Sequence, residues 1–484
     1  MKNVLVLGLL AAALSFGHVA AETEPGKATE SPPRNWSETA VADLLEIQAL
    51  IRDNHPGPVD PQNPGYRTWL ESGLEPSMAM ARAAKNQADY LRAIRLYLNG
   101  FRDGHMGSSP RGAVAFQWPG FLTSTPRDGD TRVTVADPDA PVPVGAQLVA
   151  CDGVAADILL DQRVHRFRTN ADLPQARPLN APRLFYTPDS DQDLMKRCRF
   201  VVNGVEKDVA LSWRPVTTAR LEEALDAATA TGAAELGVRE RDGVWFVSIP
   251  TFDAEGTKMQ ALLDQITAQA DALHRAPIVV IDVRGNGGGN SGWGSKAAAA
   301  LWDERMVTAL EESFDWTTDW RVSPLNIDLT RKMSQRATNS RLVADDDSRL
   351  EIVKDLERAR AGGDVLLRRN NPPTSPGLPT DARSPFAGKV FFLTDSRCAS
   401  ACLDFADVVT RLPGVVHIGL PTSADAIYID VVGQPLTSGV AGFSWSLKVY
   451  RNRIRGNNQW YEPKVLWTGG AMTDEAVAAW VKTL

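Results

Sequence analysis

The chain has 484 residues, 43 % of them hydrophobic and 23 % charged, with a formal net charge of −7. Its length suits two or three domains, and its composition is that of a globular protein rather than a low-complexity or disordered one. A mildly acidic chain generates no global basic field, so nucleic acid is not an expected partner.

Residues 1–21 have the build of a secretory signal peptide. Lys2 supplies the positive start, residues 4–16 are apolar, and Val19, Ala20 and Ala21 are the small residues of a cleavage site. The apolar stretch is too short to span a bilayer comfortably, and no later segment approaches 18 apolar residues. The expectation is a periplasmic or secreted protein cleaved after Ala21, with no integral membrane segment. Residues 22–34 are polar and contain Pro25, Pro32 and Pro33, and read as a disordered leader.

Residues 35–112 form an expected N-terminal helical region. Val41, Leu44, Ile47 and Ile51 line one face of a helix over 36–52, which the Asn54-His55-Pro56-Gly57 stretch breaks. Met80, Ala84, Tyr90, Ile94 and Leu98 predict a second helix over roughly 76–98. A glycine-containing loop, 101–107, follows and carries Asp103 and His105. Residues 113–216 read as a β-domain. Residues 144–154 resemble the strand-turn centre of a PDZ domain, and residues 198–213 read as a hairpin turning at Asn203-Gly204. Four cysteines in an exported chain permit disulfides. Cys151 and Cys198 both lie in strand-like runs and are the favoured pair. Cys398 and Cys402 are either a second bridge or two buried thiols.

From residue 217 to 484 the pattern changes to alternating strands and helices, which predicts an α/β core. Helices are expected over 219–230, 258–274 and 294–302, and strands over 243–251, 276–283 and 389–393. A long polar segment, 308–384, interrupts the core. It is a candidate lid, a dimer contact or a disordered loop.

Two loops in this core carry chemistry. Residues 284–293 contain Gly285, Gly287, Gly288 and Gly289, and such a cluster lets backbone N–H groups approach a ligand closely. In the second loop Ser400 stands between Ala399 and Ala401, after a strand and before a helix. A tight turn there exposes a serine hydroxyl, and the next N–H can face an oxyanion; the same features also fit a helix N-cap serine. Taken together and in this order, Asp282, Arg284, Asn286, Gly288, Gly289, Ser400 and Ala401 resemble the motifs of the tail-specific (C-terminal-processing) serine peptidase family and its tricorn-type relatives.

The resemblance implies a crotonase- and ClpP-like α/β core beside the helical region and the PDZ-like domain. It implies Ser400 as nucleophile and the N–H groups of Gly288 and Ala401 as an oxyanion hole, with Asp282 and Arg284 fixing the loop. One branch of the family uses a lysine about 25 residues after the serine. That position is Asp425 here, and the first lysine after Ser400 is Lys448. The other branch uses a histidine far upstream, and His105 stands in that place, with His55 as a structural residue. Histidine titrates near neutrality, as a general base should. The third member is expected near the C-terminus, at Glu462 or Asn458. The implied activity is endopeptidase cleavage of peptides or unfolded proteins, without metal or cofactor. The alternative is a catalytically weak or inactive member that acts as a periplasmic binding protein for peptides or small ligands.

Overall fold

The computed structural model describes residues 34–125, 129–168, 170–229, 235–340 and 346–484. The expected signal peptide and all but the last residue of the expected leader lie outside the described residues.

The central sheet has six strands in the order Gly237–Arg241, Val244–Ser248, Ile278–Asp282, Lys389–Thr394, Val415–Gly419 and Val465–Leu466. The first two form an antiparallel hairpin and the remaining pairs are parallel. Parallel strands covered on both faces read as continuous apolar runs, and Ile278–Asp282 and Lys389–Thr394 do so. Val279, Ile281, Val390 and Phe392 pack against the helices Gly256–Ala268, Ser291–Leu301 and Ala401–Val409. Val280, Phe391 and Leu393 face the other way, towards the C-terminal helix Asp474–Val481. Because Asp282 is in register with Leu393, the glycine loop and the Ser400 turn leave adjacent strand ends side by side. Ligand crevices of open parallel sheets lie at such carboxyl ends.

A second, antiparallel sheet explains how residues near position 105 reach the core. Gly107–Pro110 pairs with Ala441–Tyr450, Gly107 opposite Ser444, across 337 positions of sequence. Tyr428–Pro435 flanks the long strand on one side. On the other side stand Thr318–Arg321 and then Leu366–Arg369.

Those last two strands belong to the segment expected to be a lid, a dimer contact or a disordered loop, and the structure corrects the last of these, since strands and helices make up much of it. The segment also contains the helices Pro324–Ser340 and Asp346–Ala361. Ile327, Ile352 and Leu356 share one hydrophobic core with Leu44, Ile47 and Ile94 of the N-terminal helices. Ser323 and Asn326 hydrogen-bond to Asn54. The N-terminal helices therefore do not bury their apolar faces alone. The helix expected over 76–98 is two helices, Leu74–Arg82 and Gln87–Asn99, because Asn86 caps the second by accepting the Asp89 N–H.

The β-domain is an antiparallel sheet of Phe121–Ser124, Arg132–Ala136, Gln147–Cys151, Arg197–Val202 and Val205–Ala210. Its hairpin turns at Asn203 and Gly204, both with positive φ. Cys151 and Cys198 face each other in register and are bridged. Short helices over 156–185 put Leu160, Val164, Leu184 and Phe185 into the same core as Phe121, Leu148 and Phe200.

Candidate active site

The glycine loop is anchored from below by buried charge. Arg284, wholly buried, donates to both carboxylate oxygens of Asp282 and to Asp474. The loop is then tied to its neighbours by Asn286. Its amide donates to the Ile249 carbonyl at 2.8 Å, and its backbone carbonyl accepts the Ala399 N–H. Asp395 adds a second tie, accepting the N–H groups of Gly285 and Arg397. Burial pushes the Asp395 carboxyl up to about 6.

The structure corrects one role expected in this loop. The Gly288 N–H donates to Asn286 Oδ1 at 2.9 Å, so it is already committed. Gly288 serves by having no side chain. Its φ is +106°, and a Cβ there would lie 2.8 Å from the Ala399 carbonyl oxygen and from Ser400 Cβ. Among the described residues, the neighbouring Gly287 N–H has no protein partner, and Gly287 lines the cavity beside Ser400. The Ala401 N–H opens the helix Ala401–Val409, whose first-turn donors have no intrahelical acceptor.

Ser400 is not a capping serine: its side chain makes no cap hydrogen bond. Its backbone stands at φ 54°, ψ −123°, a conformation L-residues avoid and active sites tolerate. The turn is braced by a disulfide between Cys398 and Cys402, which straddles the serine.

His105 lines the same cavity as Ser400, a space of about 620 Å³ that also touches Asp103, Gly287, Asp425 and Asn458. A relay of hydrogen bonds sets the histidine loop. His55 Nδ1 accepts the Gly57 N–H, which leaves Nε2–H to donate to Asp103 Oδ2 at 3.1 Å. Asp103 Oδ1 in turn accepts the His105 backbone N–H at 2.9 Å. Burial lowers the pKa of His55, keeping it neutral in this structural role.

The expected third members do not meet the imidazole. Asn458 lines the cavity, but its amide donates to the Arg102 carbonyl at 3.0 Å. The Glu462 carboxylate accepts the Trp460 indole N–H. Lys448 is also away from Ser400, paired with Asp430 at 2.9 Å and lying over the Trp320 ring.

The sequence reading missed Asp425 as a candidate partner of the histidine. Its Oδ1 faces Arg453 and Arg455 at 3.3 and 3.5 Å, while Oδ2 is buried without a hydrogen-bond partner. His105 Nδ1 is likewise buried and unpartnered, 4.0 Å from Asp103 Oδ1, which the backbone N–H already occupies. Burial alone would raise Asp425; Arg455, Arg453 and His105 together hold it below its ordinary value. The Asn458 N–H fastens the Asp425 carbonyl, so one segment joins the Asp425 and His105 loops. Among the described residues no group of acidic, histidine and cysteine side chains is arranged to hold a metal ion, and no helix is long and apolar enough to cross a membrane.

This arrangement of strained serine, histidine and open backbone donors suits acyl transfer, and comparison with known proteins agrees. The chain is similar in structure to mature CPAF complexed with lactacystin, with 14 % identity, a TM-score of 0.63, and 92 % of this chain and 97 % of that chain covered. It is similar also to mature CPAF alone, with 13 % identity, a TM-score of 0.60, and 92 % and 96 % covered. These likenesses carry the fold. No curated protein sequence matches. The model of peptidase family S41 matches residues 243–441, which hold both the glycine loop and the Ser400 turn. That core is thus similar to peptidase family S41, and the match supports a serine-type peptidase.

Proposed function

We propose that the protein is an exported serine endopeptidase that cleaves peptides or unfolded proteins through an acyl-enzyme on Ser400. In this reading Ser400 Oγ attacks the scissile carbonyl carbon while His105 takes the hydroxyl proton. The C–N bond then breaks as the imidazolium returns that proton to the leaving amine, and water releases the acyl group by the same route. The developing oxyanion is held by the N–H groups of Gly287 and Ala401, since Gly288 is committed to Asn286. Asp425 orients the imidazole, its open Oδ2 being the acceptor for a proton on His105 Nδ1.

The observation that carries the reading is the shared cavity: a strained serine, a histidine with an unpartnered ring nitrogen and the open N–H of Gly287 all line it. Its volume and its apolar lining by Leu98, Met106 and Phe443 fit a peptide segment. Export is supported by residues 1–21 and by two disulfides, which persist in oxidising compartments such as a periplasm.

The test is turnover of casein and of a quenched fluorescent peptide. Ser400→Ala and His105→Ala should each abolish it while thermal unfolding stays nearly unchanged. Turnover retained in purified Ser400→Ala would move the chemistry to another residue.

A further inference from the structure

Ser400 and Asp425 lie on separate segments, and one buried guanidinium joins them. Arg455 stands in the irregular stretch 451–459, after the strand Ala441–Tyr450, and is 1 % exposed. Its Nη1 donates to Asp407 Oδ2 at 2.8 Å and its Nη2 to Asp404 Oδ1 at 3.1 Å, both on the helix that Ser400 opens. The same Nη2 lies 3.5 Å from Asp425 Oδ1. The other oxygen of Asp404 accepts the Ser291 hydroxyl at 2.7 Å, at the start of the helix that follows the glycine loop. The other oxygen of Asp407 accepts the Tyr461 hydroxyl.

The stretch that carries Arg455 is also fastened to the rest of the site. Asn458 donates its backbone N–H to the Asp425 carbonyl and its amide to the Arg102 carbonyl, in the loop of His105. Asn457 Oδ1 accepts the Ile427 N–H. Arg453 donates to Asp425 Oδ1 at 3.3 Å and to the Arg455 carbonyl at 3.0 Å. The histidine loop, Asp425 and residues 453–459 are thus one unit, and the Arg455 side chain is where that unit grips the nucleophile helix.

Burying these carboxylates is costly: burial pushes Asp407 up to about 6 against the pull of Arg455. A buried ion network adds little net stability, so its use is in fixing one arrangement. A planar guanidinium, whose donors point in set directions, holds several carboxylates at fixed separations, which the point charge of a lysine does not. We propose that Arg455 is a positioning residue for hydrolysis: it sets the distance between the Ser400 helix and Asp425, and through Asp425 the orientation of His105 towards the serine. This inference rests on the roles given above to Ser400, His105 and Asp425.

Two rates are measured on the full chain: hydrolysis of a quenched fluorescent peptide, and labelling of Ser400 by a fluorophosphonate, which needs no peptide substrate. Arg455→Lys keeps the charge and loses the fork. It should lower kcat and the labelling rate by ~10–100-fold, the effect of displacing a reacting group by up to 1 Å, with KM within ~3-fold of its starting value. Arg451→Lys is the control. Arg451 is also buried, but its guanidinium joins Asp60 and Asp319, neither of which lines the Ser400 cavity. This variant should lower the unfolding temperature and leave kcat within ~3-fold. Because Arg455 acts through Asp425, the double variant Arg455→Lys/Asp425→Asn should fall within ~3-fold of Asp425→Asn alone. Losses that multiply, full kcat in a folded Arg455→Lys, or an equal kcat loss in Arg451→Lys would overturn the positioning role while leaving that of Asp425 standing. If Arg455→Lys does not fold, Asp404→Ala cuts the tether from the helix side. It should show the same fall in kcat at steady KM, and full kcat there would overturn the proposal as well. Unimpaired kcat and labelling in Asp425→Asn would instead overturn the role of Asp425, and this inference with it.

Discussion

Gly288→Ala is the substitution that most sharply separates a glycine needed for space from one needed as a donor. An added Cβ would meet the Ala399 carbonyl oxygen and Ser400 Cβ at 2.8 Å and the Ala401 nitrogen at 3.1 Å. Carbon atoms pack best at about 3.5–4.0 Å, so the serine turn must withdraw by roughly 0.7 Å or more. The atoms met are backbone or the start of a side chain, and the disulfide across the turn resists movement. The φ of +106° adds a further ~1–2 kcal/mol for any L-residue. A displacement approaching 1 Å at a reacting atom costs about 100-fold in rate. The expected result is kcat lower by roughly 100-fold, KM little changed, and stability lower by about 2–3 kcal/mol, the cost of strain plus a steric clash. The assay is steady-state hydrolysis of a quenched fluorescent peptide alongside urea unfolding. Gly287→Ala is the contrast, because nothing lies within 4 Å of a Cβ there and its stability should hold. Unchanged kcat and unchanged unfolding in Gly288→Ala would refute the account of how the two loops fit together.

Asp425→Asn keeps the shape of the side chain but removes the charge that favours an imidazolium, so kcat should fall by roughly 100-fold or more. An undiminished kcat in Asp425→Asn would exclude Asp425 as the orienting group. Replacing Cys151 and Cys198 together by serine opens a loop with a sequence separation of 47 residues. Loop entropy puts the loss at about 4 kcal/mol, read by chemical unfolding, and retention of full stability would show that the bridge does not constrain the unfolded chain. His417 is pushed down to about 4 by burial, from an ordinary 6.5. Its contribution is fully present above pH ~6.5 and is lost as pH falls towards 4, at most ~3 kcal/mol at 1.36 kcal/mol per pKa unit. Asp395, raised to about 6, works in the opposite sense over the same range, its buried charge being relieved by protonation. His417→Gln should therefore flatten the acid loss of stability, and a curve identical to that of the unmodified protein would contradict the burial argument.

The parts of the core that are legible in the sequence share one property: their signal is local. Residues 276–283 and 389–393 are continuous apolar runs that end in glycine or small-residue turns, and both became buried neighbouring strands. The Asn203-Gly204 turn and the strand-like settings of Cys151 and Cys198 are local in the same way. What stayed hidden depends on distant pairing. Nothing near His105 announces that Gly107 will pair with Ser444. The helices of 324–361 look like a polar insertion because their buried stripe is narrow; Ile352, Val353, Leu356 and Ala359 are almost all that Asp346–Ala361 contributes to the core. The commitment of Gly288 to Asn286 is a side-chain hydrogen bond that no spacing rule reveals. Asp425 lies between short irregular segments, and its meaning appears only once Arg453, Arg455 and His105 surround it. One signal was available: it occupies the position 25 residues after Ser400, which the lysine-using relatives give to their base.

The central claim is that Ser400 is the nucleophile of this cavity, and covalent trapping tests it most directly. The purified protein is treated with a serine-reactive fluorophosphonate, digested, and mapped by mass spectrometry. The account predicts one stoichiometric adduct on the peptide containing Ser400, loss of peptidase activity in step with labelling, and no adduct in Ser400→Ala. Labelling of a different residue, or full labelling of Ser400 with activity unimpaired, would contradict it.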